Sequence, residues 1–258
     1  CRFEITDPKI GFEAYQKGHI PGARYAHLDI HLAGTIGSRD GRHPLPNPLH
    51  FAQTLSNLGI TNSSTVIAYD DVSGAIAARL WWLLRWLGHK SVSVLDGGLA
   101  AWLADGQELE LGVPTWDIAQ FSAARPLDHW VVKSGELIEL IDSGAVLLDA
   151  RSCDRFGGIL EPVDPVAGHI PKARNLPFSS LIAADKTLLP RQQLYKRFRS
   201  LLDDQDGEQV IAMCGSGVTA CYLLLAMNVA GLGHGRLYAG SWSEWIRDRN
   251  RAIVIGSE

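Results

Sequence analysis

The sequence is short of several things, and each shortage removes a class of function. No apolar run reaches the roughly 18–20 residues that a membrane span requires, and the stretch 81–87 is broken by Arg85. Neither sign of charge is in excess. Lys and Arg number 24 against 28 Asp and Glu, a net −4, so there is no bulk basic field to hold nucleic acid or an anionic membrane. Four cysteines in 258 residues (Cys1, Cys153, Cys214, Cys221) are too few for a disulfide scaffold and favour a reducing, cytoplasmic setting. No Cys and His cluster has zinc spacing and no Gly-Lys-Ser/Thr phosphate loop is present, so neither a metal nor another cofactor is expected. What is present is ordinary globular usage, 46% hydrophobic and 20% charged, which argues against disorder and fibres. The chain opens at Cys1 with no initiator Met and no signal-peptide pattern, so further residues are expected upstream, and targeting signals there cannot be judged.

The chain repeats itself. His19-Ile20-Pro21-Gly22-Ala23-Arg24 recurs as His169-Ile170-Pro171-Lys172-Ala173-Arg174, an offset of 150 residues. Leu95-Asp96-Gly97-Gly98-Leu99-Ala100-Ala101-Trp102 recurs as Tyr238-Ala239-Gly240-Ser241-Trp242-Ser243-Glu244-Trp245, and Val66-Ile67-Ala68-Tyr69 as Val210-Ile211-Ala212-Met213, at offsets of 143 and 144. Three blocks in one order at a nearly constant offset identify a duplicated domain. The reading is a first domain over 1–104, a linker over 105–128 where Gly106, Gly112, Pro114 and Pro126 interrupt periodicity, and a second domain over 129–258. By the same offset, the opening strand of the first copy falls before Cys1.

Both copies alternate strand and helix. The first offers strands at 65–69 and 91–95 and helices at 75–87 and 99–104. The second offers strands at 146–148, 210–213 and 236–238 and helices at 192–202, 218–229 and 241–247. Strands apolar throughout, alternating with helices, predict α/β domains, each a mainly parallel sheet with helices on both faces.

Chemistry is expected where the copies diverge. After the central strand the first copy has Asp70-Asp71-Val72-Ser73-Gly74, and the second Cys214-Gly215-Ser216-Gly217-Val218-Thr219. One copy can attack an electrophile; the other carries a carboxylate in its place. A thiol between a strand end and a helix start faces unpaired N–H groups and partial positive charge. Gly215 and Gly217 permit a tight loop whose amides, with those of Val218 and Thr219, form an anion nest. An ordinary cysteine is only about 3% thiolate at pH 7, and a helix terminus offers an anion roughly 0.3–2 kcal/mol. The dipole alone is marginal, so the amide ring or a neighbouring base must help. On spacing alone a second reading stays open, a small buried residue in a glycine-rich turn.

Tyr15-x-x-x-His19-Ile20-Pro21-Gly22-Ala23, the duplicated layout, the Cys-headed loop and Gly240-Ser241-Trp242-Ser243-Glu244-Trp245 together resemble the two-domain rhodanese-like sulfurtransferases, over essentially the whole chain. The resemblance implies two tandem rhodanese-like domains, with the thiol kept only in the second. The loop resembles that of 3-mercaptopyruvate sulfurtransferases, because thiosulfate-preferring relatives carry an Arg-Lys pair where this chain has Gly215-Ser216. It implies transfer of sulfane sulfur through a persulfide on Cys214 to cyanide, a small thiol or a thioredoxin-like acceptor, with pyruvate released. Thiosulfate as donor is the alternative. It further implies a proton relay of Ser216, His43 and Asp29 reaching across the domain cleft, and a carboxylate-binding Arg155. The position of a second binding arginine holds Val163, in Glu161-Pro162-Val163-Asp164-Pro165; that clamp is absent or supplied from elsewhere, with Arg39 and Arg42 as candidates.

Other residues read as architecture. Arg2 and Arg151 occupy equivalent places in both copies, as do His19 and His169, and a residue present with and without the thiol suits packing better than catalysis. Trp242 and Trp245 read as core or pocket-rim aromatics, Asp96 and Gly240 as turn formers, and Cys221 and Cys153 as packing residues. A Cys-dependent phosphatase would need an arginine six residues after Cys214, where Ala220 stands. A purely binding module would have no use for the intact Cys214 loop.

Overall fold

The structure, a computed structural model, describes residues 1, 7–203 and 205–256, with Pro8 described by its backbone alone; Arg2 lies outside the described residues. Asp7 starts the first helix: its carboxylate accepts the Lys9 amide at 3.0 Å, and proline follows in the first turn, where its missing N–H costs nothing. This gives α1 (Pro8–Lys17). It is followed by α2 (Leu28–His31), α3 (Pro48–Asn57), β1 (Val66–Ala68), α4 (Ala77–Trp86), β2 (Val92–Val94) and α5 (Gly98–Ala104). Among the described residues β1 and β2 form a parallel pair in which Val66 faces Val92. α4 is buried almost all round, the pattern of a helix enclosed within a core rather than laid on a surface.

The remaining elements are α6 (Leu137–Asp142), β3 (Val146–Asp149), α7 (Cys153–Phe156), β4 (Arg174–Asn175), α8 (Arg191–Leu202), β5 (Val210–Met213), α9 (Ala220–Ala230), β6 (Arg236–Leu237) and α10 (Ser241–Trp245). Four of them build an all-parallel sheet in the order β4-β3-β5-β6, with Leu148 opposite Ala212 and Ala212 opposite Leu237. Every residue of β3 and β5 is buried, as a sheet covered on both faces requires. Side chains alternate across the strands. Leu147, Ile211 and Met213 join Leu137, Ile141, Phe156, Ile170, Tyr238, Trp242 and Trp245 in one core, while α9 packs against β5 and β6 and α8 against α9. The architecture is that of two α/β domains with mainly parallel sheets flanked by helices.

The chain divides into two compact units that do not follow a single cut. One holds Cys1–Thr35, Leu45–Leu127 and Ala184–Thr187; the other holds Ile36–Pro44, Asp128–Ala183 and Leu188–Glu258. The segment Ile36–Pro44, inside what the repeat pattern assigns to the first domain, thus belongs to the second unit. A repeat locates copies in sequence, but not a loop that one copy lends to the other. No helix among the described residues is long and apolar enough to cross a membrane, and no group of three or more of their His, Cys, Asp and Glu side chains could hold a metal ion.

Candidate active site

β5 delivers Cys214 to the end of the sheet, where the residue is only 2% exposed. Two αL residues shape its surroundings. Gly217 turns the loop at φ +78, and a Cβ there would lie 2.4 Å from the Ala239 carbonyl oxygen, so glycine is required for both conformation and room. The Gly217 amide consequently donates to Cys214 Sγ at 3.1 Å. Ser241 also sits at φ 53, a conformation costing a non-glycine residue roughly 1–2 kcal/mol. Its hydroxyl donates to the Tyr238 carbonyl at 2.9 Å and accepts the Cys214 amide at 3.1 Å. The Trp242 and Ser243 amides then donate to the Cys214 and Gly215 carbonyls at 3.0 and 2.9 Å, which locks the loop onto α10.

The first unit shows what such a loop does with an anion. At offset 144, Ser73 (φ 59) takes the left-handed turn of Gly217. Asp70, where the second copy has Cys214, is fully buried. Its Oδ1 accepts the amides of Val72 and Gly74 at 2.9 and 2.7 Å, and its Oδ2 those of Ile76 and Ala77, both at 2.8 Å. A carboxylate of the chain fills the nest. In the second unit the counterparts of Val72 and Gly74 are Ser216 and Val218, whose amides meet no acceptor among the described residues. Thr219 caps α9. A ring of donors that satisfies a built-in anion in one copy is open in the other, beside a thiol.

A second segment of the same unit reaches this loop. Gly41 passes so close to α10 that a Cβ would lie 2.4 Å from the Gly240 carbonyl oxygen, and the Arg42 amide donates to Ser243 Oγ at 3.0 Å. That anchor sets His43, also buried, with Nδ1 2.8 Å from Ser216 Oγ. The hydroxyl and imidazole expected as partners are therefore in hydrogen-bond contact across 173 residues of sequence. Asp29 stands in the first unit, as the second residue of α2, with its amide donating to His27 Nδ1 at 3.1 Å.

Arg155 leaves α7 toward the loop but is not bare. Its Nε donates to Glu161 Oε1 and Oε2 at 2.9 and 3.0 Å, and its Nη2 to Asp164 Oδ2 at 3.0 Å. Arg42 Nη1 holds the other Asp164 oxygen. Burial pushes the Glu161 carboxyl up, but Arg155 and the Asp164 and Val163 amides outweigh it and hold the group below its ordinary value. At Asp164 burial prevails; Arg42 and Arg155 pull down and Glu161 pushes up, leaving the carboxyl above its ordinary value. Arg39 is exposed. Val163 lies on the surface of the turn that presents these two carboxylates, its amide donating to Glu161 Oε1 at 3.1 Å.

The architectural readings of His19, His169, Arg151, Trp242 and Cys221 have direct counterparts, whereas Cys153, read as a packing residue, is exposed because it opens the short α7 at the surface. His19 Nδ1 lies 2.9 Å from the Tyr15 carbonyl oxygen, and His169 Nδ1 2.9 Å from that of Phe156, both rings buried. Arg151 forms a buried pair with Asp149 at 2.6 Å and stacks 4.6 Å over the fully buried Trp242. Cys221 is buried with its thiol donating to the Gly217 carbonyl at 3.3 Å, and Cys153 is exposed at the start of α7. Sequence reasoning missed Ser241, Ser243, Glu161 and Asp164. The two serines did leave a signal. At offset 143 they replace Gly98 and Ala100, and Gly98 has the same left-handed φ of 55, so the hydroxyls appear only in the thiol-bearing copy.

Known proteins resemble this chain along most of its length. The family model for the Rhodanese-like domain matches residues 8–105 and 134–248. The "Probable 3-mercaptopyruvate sulfurtransferase" of Pseudomonas aeruginosa is 45% identical over 258 residues, spanning 99% of this chain and 91% of that protein. The thiosulfate sulfurtransferase of Rattus norvegicus is 34% identical over 244 residues, spanning 90% and 79%. The solved structure of 3-mercaptopyruvate sulfurtransferase from Leishmania major superposes with a TM-score of 0.83 at 32% identity, covering 95% of this chain and 68% of that one. The chain belongs to the two-domain rhodanese-like sulfurtransferases.

Proposed function

We propose that the sulfur donor is 3-mercaptopyruvate and that the sulfur travels on Cys214 as a persulfide. The Cys214 thiolate attacks the donor sulfur, so an Sγ–S bond forms while the donor's C–S bond breaks. The electron pair stays on carbon as the enolate of pyruvate, which then takes a proton. The open amides of the 214–219 loop receive the developing negative charge. A thiolate, cyanide or the dithiol of a thioredoxin-like protein next attacks the outer sulfur, the Sγ–S bond breaks, and the thiolate returns. The observation that carries the choice of donor is the 2.8 Å contact between His43 Nδ1 and Ser216 Oγ. An enolate needs a proton at carbon, whereas the sulfite released from thiosulfate leaves as a stable anion and needs none. Steady-state kinetics with both donors tests the choice. Catalytic efficiency is expected to favour mercaptopyruvate by about tenfold or more, the size of one charge-assisted hydrogen bond lost in the transition state. A clear preference for thiosulfate would overturn it.

In this reading Ser216 and His43 pass the proton, and Asp29 is the carboxylate of the relay. General acid–base partners contribute roughly 10²–10⁴-fold, so Ser216→Ala and His43→Asn are each expected to lower kcat with mercaptopyruvate by about 10²-fold or more. Because the pair acts as a unit, the double variant is expected to be little worse than either single one. Asp29→Asn is expected to move the pH–rate profile in the same sense as His43→Asn. Fully additive losses, or variants with unchanged kcat, would remove the relay and leave a bare thiolate mechanism.

A further inference from the structure

Cys221 reads from sequence as a packing residue, yet its hydrogen bond falls on one particular peptide unit. The thiol stands in the first turn of α9 and donates to the Gly217 carbonyl at 3.3 Å. That carbonyl shares its peptide unit with the Val218 N–H, and in a planar trans unit the two groups point in opposite directions. Holding the carbonyl therefore turns the Val218 N–H away from Cys221. At offset 144 its counterpart is the Gly74 amide, which donates to Asp70 Oδ1 at 2.7 Å. The repeat thus places a donor on this unit for an anion carried by the residue that ends the central strand. The two copies hold the unit from opposite sides. In the first, the Asp70 carboxylate grips the N–H, and the counterpart of Cys221 is Ala77, which has no side-chain donor. In the second, a thiol replaces that carboxylate, and the Cys221 S–H grips the carbonyl. The left-handed turn is also looser here, with Gly217 where the first copy has Ser73, and glycine restrains its flanking peptides least. The Cys221 amide donates in turn to the Val218 carbonyl at 3.0 Å, so one residue fixes two consecutive peptide units of the loop.

We infer that Cys221 is a positioning residue for sulfur transfer, whose thiol orients the 217–218 peptide so that the Val218 N–H meets the negative charge developing on the sulfur at Cys214. Cys221 acts through the backbone and touches none of the reacting atoms. A donor on the carbonyl also polarises the amide and strengthens its N–H. An N–H already held in place needs no reordering as charge develops, which is what makes such a donor effective. The assignment rests on the reading that the loop amides receive that charge, and goes beyond it by naming the side chain that aims one of them.

Three substitutions separate donation from packing. Cys221→Ser keeps a donor, Cys221→Ala removes it, and Cys221→Val removes it while filling the space. In Cys221→Ala and Cys221→Val kcat is expected to fall about fivefold with KM within about twofold, the size of one neutral hydrogen bond lost in the transition state. Cys221→Ser is expected to stay within about twofold of the parent in both. Magnetic resonance of protein labelled with heavy-nitrogen valine reads the Val218 amide directly, its signal identified by its absence in Val218→Ile. Loading Cys214 with sulfur from mercaptopyruvate or thiosulfate, checked by intact mass, is expected to move that amide proton downfield in the parent and in Cys221→Ser. In Cys221→Ala and Cys221→Val the move is expected to be lost. A move of equal size in all four proteins, or a kcat loss shared by Cys221→Ser, overturns the assignment, because packing and not donation then supports the loop. If the parent's own Val218 amide stays in place with the sulfur loaded, the loop amides do not take up the charge, and that reading falls together with the assignment.

Discussion

Cys214→Ser is expected to lose sulfur transfer by roughly 10⁴-fold or more, the scale seen when a nucleophile that works as part of a set is removed. The substitution changes little else. The side chain is buried in a loop whose shape is set by Gly217 and by the Ser241 bridge, and a hydroxyl occupies slightly less space than a thiol. What disappears is the atom that forms the Sγ–S bond. Intact mass after exposure to mercaptopyruvate is expected to show a gain of about 32 Da, one sulfur atom, on the parent and none on the variant. Turnover surviving in Cys214→Ser would falsify the covalent scheme and transfer the chemistry to direct attack by the acceptor.

The second large effect belongs to the copy that has no thiol. Asp70→Asn is nearly isosteric, yet it is expected to destabilise the first unit by about 3–5 kcal/mol, because two of four charge-assisted bonds are lost and an amide N–H₂ is turned toward backbone N–H groups. All four contacts lie between 2.7 and 2.9 Å in a fully buried site, so water cannot repair them. Calorimetry is expected to show the midpoint of the first unit falling by roughly 10 °C or more. A midpoint within experimental error of the parent's would mean that the carboxylate merely occupies the loop and does not hold it together.

Much of this molecule is legible before any coordinates are inspected, and the parts that are not share a cause. The strands at 146–148 and 210–213 emerge within a residue of their observed ends, because unbroken apolar runs between turns leave few alternatives. Exchange of Asp70 for Cys214 marks the site, since two copies of one fold differ there in chemistry and not in size. Family resemblance supplies Ser216, His43 and Arg155, and the first two are in contact. Glu161 and Asp164 are silent in sequence. Acidic residues in a Pro-rich turn look like solvated surface, and only the arrival of Arg42 from 122 residues away makes Asp164 a buried bridge. The contact of His43 with Ser216 likewise needs the close pass of Gly41 against α10, a long-range fact that no local pattern encodes. Ser241 is half legible, as a hydroxyl in a repeat that otherwise uses glycine.

The loan of Ile36–Pro44 to the second unit bears on how the duplication could age. In the relay proposed for the site, His43 lies in the half of the gene opposite to Cys214, so the half without a nucleophile supplies part of what the thiol needs. A fragment beginning at 128 would carry Cys214 and Ser216 without His43 and Arg42. On that proposal the copy without a thiol is the source of a loop that the other requires, and either half alone would encode an incomplete enzyme.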